Sequence, residues 1–149
     1  MVKAVNKTII TDVTTNKLYP AYKTKKGTVI QLNSKKTGLP SGRTLSSLVK
    51  FVDASGLKKI IITGGYEAKG HSKNSFHGKN LAIDVAGKRF NKLTNAKVRS
   101  SARKAGFTHG VYENFKGTSK DHWHLQVGAG NGLGTKESLK LYPLTTKNY

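Results

Sequence analysis

The apolar positions of this chain fall into short alternating runs and two longer helical stripes. Thr8-Ile9-Ile10 and Thr28-Val29-Ile30-Gln31-Leu32 read as strands, with the polar turn Lys23-Thr24-Lys25-Lys26-Gly27 between them. They predict a β-rich N-terminal extension over residues 1–40, and the breaker Leu39-Pro40-Ser41-Gly42 opens the main domain, 41–149. Leu45, Leu48, Val49 and Val52 recur at helical spacing, and Gly56 is placed to end that helix. Lys59-Ile60-Ile61-Ile62-Thr63 predicts a buried strand that stops at Gly64-Gly65.

Leu81 to Ala86 predicts the next strand. Leu81, Ile83 and Val85 share one face, and Ala82, Asp84 and Ala86 the other. Thr94 to Ala105 predicts a second helix, with Thr94 as N-cap and Gly106 as its stop. Gly110 to Glu113 reads as a strand. So does His122 to Val127, with Trp123, Leu125 and Val127 toward the core and His122, His124 and Gln126 opposite. The glycine-rich stretch 128–134 lacks a dinucleotide-binding spacing and reads as a loop. The expected class is α+β: a small antiparallel sheet with helices packed on one side and a site on its open face.

Length and composition narrow the function. At 149 residues one domain can bury a core without disulfides, and the absence of cysteine excludes a disulfide scaffold and any thiolate metal site. Met1 to Lys7 holds no apolar run long enough for a signal peptide, and no stretch approaches a membrane span. The expectation is synthesis in a reducing cytoplasm, and action outside it would need lysis, a holin-like route or assembly into a particle. With 27 basic against 7 acidic residues, the formal charge is +20, which favours a polyanionic partner. No arginine-rich or aromatic-interleaved block points to specific nucleic-acid readout.

Against that basic background the acidic residues and histidines cluster. His77 and Asp84 lie in Ser75-Phe76-His77-Gly78-Lys79-Asn80-Leu81-Ala82-Ile83-Asp84, and His124 in Asp121-His122-Trp123-His124. Two imidazoles and a carboxylate can hold Zn²⁺ with a fourth position open to water. A further carboxylate nearby can serve as the water's base. Asp121 is three residues from His124, so on a regular strand it faces away, and it reaches the metal only from a bulge or from before the strand.

The first run resembles the Ser-x-His-x-x-Gly-x-Ala-x-Asp motif of the zinc D-Ala-D-Ala carboxypeptidase family. That family includes the D-Ala-D-Ala dipeptidases of vancomycin resistance and phage L-alanyl-D-glutamate endopeptidases. Asp121-His122-Trp123-His124 resembles its second motif, and Gly64-Gly65-Tyr66, Gly106-Phe107 and Gly110-Val111-Tyr112 resemble flanking positions. The resemblance covers about residues 40–127. It implies zinc held by His77, Asp84 and His124, Asp121 as base, and a peptidoglycan stem-peptide bond as substrate. The protein would then be a phage endolysin or virion-associated lysin acting at the bacterial cell wall, with teichoic acid or other virion proteins as further partners. A non-catalytic, metal-containing virion or wall-binding protein is the alternative.

Three positions depart from the pattern. Asn80 stands where the motif has Gly, Glu67 stands where the family has an Arg that binds substrate carboxylate, and the base is Asp rather than Glu. Lys69, Lys73 and Lys79 are candidates to replace the Arg. His122 reads either as an oxyanion-supporting group or as a solvent-facing strand residue. Ser75 reads as a turn cap or a group bonded near the metal. His71 and His109 read as structural or exposed, and Tyr66 and Trp123 as core aromatics.

Overall fold

The structure is a computed structural model that describes residues 9–67, 75–116, 118–130 and 132–149. Thr8 of the first expected strand, and Lys69, His71 and Lys73, lie outside the described residues. In chain order the elements are β1 (Ile10–Asp12), β2 (Ala21–Thr24), β3 (Val29–Leu32), α1 (Gly42–Ser55), β4 (Lys59–Gly64), β5 (Ala82–Ala86), α2 (Asn95–Ala105), β6 (His109–Asn114), β7 (His122–Gln126) and β8 (Thr146–Asn148). A single 3-10 turn, Thr135–Glu137, precedes β8.

The class is α+β, but the sheet is neither small nor purely antiparallel. Eight strands run in the order β1-β2-β3-β4-β5-β7-β6-β8, with β3 parallel to β4 and β6 parallel to β8. The parallel pair β3–β4 follows from α1 lying between them, because a helical crossover returns the chain in the same direction. The N-terminal strands thereby extend the same sheet that carries Asp84 and His124.

Alternation decides what each strand buries. Ile30 and Leu32, Ile60 and Ile62, Ile83 and Val85 form one core with Trp123 and Leu125. Leu45, Leu48, Phe51 and Val52 of α1 and Val98, Ala102 and Ala105 of α2 cover that face. Both helices end at a glycine in the left-handed conformation, Gly56 (φ 80°) and Gly106 (φ 97°), as their positions predicted. The Thr94 hydroxyl accepts from the Lys97 N–H and caps α2.

Buried Asn91 clamps β4 to β5: its amide accepts from Ile61 N–H and donates to the carbonyls of Ile61 and Ala86. Tyr66, expected in the core, is exposed, while Trp123 is fully buried. Among the described residues no helix is long and apolar enough to cross a membrane.

Candidate metal centre

The site sits on the face of the sheet opposite the helices. Asp84 and His124 are direct cross-strand partners in the β5–β7 ladder. His77 enters from the turn before β5, which is built locally. The Ser75 hydroxyl accepts from the His77 N–H at 3.1 Å, so Ser75 caps the turn. Asn80 takes φ 58°, the left-handed region that Asn tolerates better than most side chains. Its amide then bonds the Ser41 backbone and hydroxyl at the start of α1, so the residue in the motif's glycine position also anchors the turn.

The three side chains converge. His77 Nε2 lies 3.2 Å from Asp84 Oδ2, and His124 Nδ1 lies 2.9 Å from Asp84 Oδ1. Their ligand atoms all fall within 4.8 Å of one another, a grouping able to hold a metal ion. The close approach explains Gly64 as well. A Cβ there would stand 2.6 Å from Asp84 Oδ2, so any larger residue on β4 displaces the carboxylate.

The outer partners settle which ring nitrogens carry hydrogens. His77 Nδ1 faces the Gly65 carbonyl at 2.9 Å, and a carbonyl only accepts, so that nitrogen is the N–H. The Gln126 amide nitrogen donates to the carbonyls of Gly128 and Gly130, so its oxygen is left to accept from His124 Nε2 at 2.7 Å. In their neutral forms both imidazoles therefore aim a lone pair at the same carboxylate. Three acceptors turned toward one point fit a cation, either added protons or a metal. Hydrogen bonding at the outer ring nitrogen is also the usual way a metal-ligating histidine is oriented.

The electrostatics agree. Burial alone would raise the Asp84 carboxyl, but the hydrogen bonds from His124 and His77 outweigh it and hold the group well below its usual range. Burial works against a charged His77, yet the bond and charge of Asp84, with the Gly65 carbonyl and Glu67, raise it.

His122 faces this cluster too. Its Nε2 lies 3.0 Å from Glu113 Oε1 and 3.8 Å from Asp84 Oδ1, while Nδ1 meets the Lys120 carbonyl at 2.9 Å. Burial disfavours its charge, but Glu113, Asp84 and that carbonyl push it up to about 9. Glu113 is in turn lowered, first by its bond from His122. The Phe115 ring stacks on His122, and Tyr149 stacks on Phe115 and donates its hydroxyl to Glu113 at 2.8 Å.

Asp121 is not brought to this group. Its carboxylate accepts from the Phe115 N–H at 2.7 Å and from the Tyr112 hydroxyl at 3.3 Å, and Tyr112 packs with Trp123 in the core. Asp121 precedes β7, and these two bonds hold it to Phe115 and Tyr112. His109 pairs with the Thr108 hydroxyl and takes no part. Glu67 accepts from the N–H groups of Gly38 and Gly65 and so ties two loops together. Lys79 places its ammonium over the Phe76 ring.

A cleft of roughly 240 Å³ opens beside the cluster, lined by Val111, Glu113, His124, Leu133, Lys147 and Tyr149. Sequence reasoning passed over Glu113, Lys147 and Tyr149. Glu113 reaches the site through its cross-strand register with His122, a pairing that the sequence does not display, and Lys147 and Tyr149 arrive with a polar C-terminal strand that carries no hydrophobic pattern. The sequence matches no protein-family model and no curated protein.

Proposed function

We propose that this chain is a zinc-dependent peptidase that cuts a stem-peptide bond of bacterial peptidoglycan, of the L-alanyl-D-glutamate endopeptidase or D-Ala-D-Ala carboxypeptidase type, as a phage endolysin or virion-associated lysin. The observation that carries the reading is the convergence of His77, Asp84 and His124 with a second imidazole–carboxylate pair, His122 and Glu113, alongside. Two imidazoles and one carboxylate suit zinc and leave room for a reacting ligand. Held there, zinc supplies Lewis acidity toward a carbonyl oxygen and toward water.

The remaining work falls to side chains. Gly65 and Gln126 fix the ligand rings, and Asp84 contributes the negative charge that retains a divalent cation. His122, held by Glu113, is the proton-carrying group on the site's face. With both nitrogens on acceptors the ring would stand as an imidazolium that gives its Nε2 proton to the leaving amine, and the Glu113 carboxylate beside it would take the proton of the attacking water. Asp121, committed to Phe115 and Tyr112, braces the entry to β7. Among the described residues Lys147, whose ammonium also donates to the Gly132 carbonyl at 3.3 Å, lines the adjoining cleft and would meet a stem-peptide carboxylate where the resembling family uses Arg. The net charge of +20 draws the protein to the anionic wall.

The test is digestion of purified cell walls, with released fragments identified by mass spectrometry. Peptide fragments are expected from the zinc-loaded protein, none after chelation, and recovery on adding zinc back. His124→Ala should lose about one equivalent of metal and all release. Metal binding without fragments from any wall would leave a metal-containing structural or wall-binding protein and end the peptidase reading.

A further inference from the structure

The open face carries a second depression, on the other side of the metal cluster from Lys147. It encloses about 270 Å³, near the lower end of small-ligand sites, which span about 300–1,000 Å³. Ile61 and Ala86 form its floor, and the exposed rings of Tyr19 and Phe90 line it. Gln31, Asn33, Thr63 and Ser119 supply neutral polar groups. It adjoins the cluster directly. Ala86 pairs with His122 and lies two residues from Asp84 on the same face, and the Thr63 hydroxyl reaches the Asp84 carbonyl at 3.5 Å.

Two features of this cleft suit a neutral ligand. First, none of its described lining residues is charged, in a chain whose net charge is +20. Second, Tyr19 and Phe90 stay 45% and 47% exposed, and the Gln31 amide and Asn33 Nδ2 make no hydrogen bond among the described residues. Aromatic faces beside unengaged neutral amides suit a ligand with apolar C–H faces and a rim of neutral hydrogen-bonding groups. A pyranose ring bearing an acetamido group has that character. A stem peptide, with its carboxylates, is better matched by the cleft on the Lys147 side.

We infer that this cleft is a glycan subsite that takes an N-acetylated hexosamine of the peptidoglycan strand. The inference rests on the proposed wall substrate and adds where its sugar lies. Tyr19 and Phe90 stack on the sugar faces, and Gln31 and Asn33 bond the acetamido and hydroxyl groups. A strand seated there leaves its attached peptide to cross the metal cluster toward Lys147.

The experiment is an NMR titration of the full chain with a neutral β-1,4-linked N-acetylglucosamine oligosaccharide. The metal-stripped protein is used, so that binding is read without any hydrolysis. Perturbations are expected at Gln31, Asn33, Thr63 and Phe90. Phe90→Ala should weaken binding about tenfold or more, since an aromatic face is lost from the contact. Tyr19→Ala should weaken it in the same direction. Because the ligand and the described lining of the cleft are uncharged, the affinity should hold as salt is raised.

No binding at millimolar sugar, or equal affinity in both variants and the parent, overturns the assignment. So does a sugar-free stem peptide that perturbs these residues while the oligosaccharide does not. Failure of the peptidase reading shows separately, as walls that release no peptide while the sugar still binds.

Discussion

The two faces of β7 share one strand and one backbone ladder but are built on opposite rules. Trp123 and Leu125 point into the helix-covered core, and the one polar side-chain atom they carry there, the Trp123 indole N–H, is met by Asn95 at 3.0 Å. His122, His124 and Gln126 point the other way, and Gln126 and His124 are nearly as buried as the core, at 0% and 6% exposure. On the first face burial is favourable in itself. On the second each polar atom must find a partner, because an unsatisfied buried group costs about 1–3 kcal/mol. The chain meets that demand with Glu113, Gln126 and the Gly65 carbonyl. One polar point, at Asp84, is left for a cation. The contrast separates the groups that fold the sheet from the groups that equip it, although they alternate residue by residue.

His122→Ala is the sharpest way to break that separation. The ring touches Glu113 and Asp84 but is not one of the three grouped ligands, so metal content should stay near the parent value, while the melting temperature should fall by several degrees because Glu113 loses its partner. Peptide release from walls should fall about 10²–10⁴-fold, the usual worth of a positioned proton carrier. Retained activity would move the proton transfer to another group.

Gln126→Leu tests the outer layer of the same face. The substitution keeps bulk and removes the oxygen that accepts from His124 Nε2, so the ring loses its orientation. Metal affinity should drop about 10–100-fold, read by competition with a chromophoric chelator. Unchanged affinity would mean that packing alone holds His124.

Much of this architecture is legible in the order of residues. The stripes at 45–52 and 94–105 mark both helices with their glycine stops, and the alternation in 81–86 and 122–127 puts Asp84 and His124 on one face. The ligand group is legible because each histidine or carboxylate sits at a strand or its adjoining turn, where period-two direction is simple. What stays hidden depends on pairing between distant segments. Glu113 joins the site only through the β6–β7 register, and the N-terminal strands join the sheet only through the parallel β3–β4 pair. Asp121 is a different case. Alternation would set it on the far face only within a regular strand, and it precedes β7, so its place follows from its bonds to Phe115 and Tyr112.

Asp121→Asn is therefore the prediction with the smallest expected effect and the most to decide. Asn matches Asp in volume and keeps one acceptor oxygen for the Phe115 N–H, at 2.7 Å in the parent. The new amide group can donate to the Tyr112 hydroxyl, which accepts as readily as it donates. Both contacts therefore survive in altered form, and what is lost is the charge assistance of one of them, about 1 kcal/mol. For a domain of this size that corresponds to a drop in melting temperature of about 2–4 °C. Zinc content should not change, because the carboxylate bonds Phe115 and Tyr112 and lies outside the His77–Asp84–His124 group. Wall cleavage should stay within a few-fold of the parent. A loss of about 10²–10⁴-fold with metal and fold intact would instead mark Asp121 as the base. It would require β7 to enter the sheet through a different turn when substrate is bound, and it would leave His122 as a support for negative charge rather than the proton carrier.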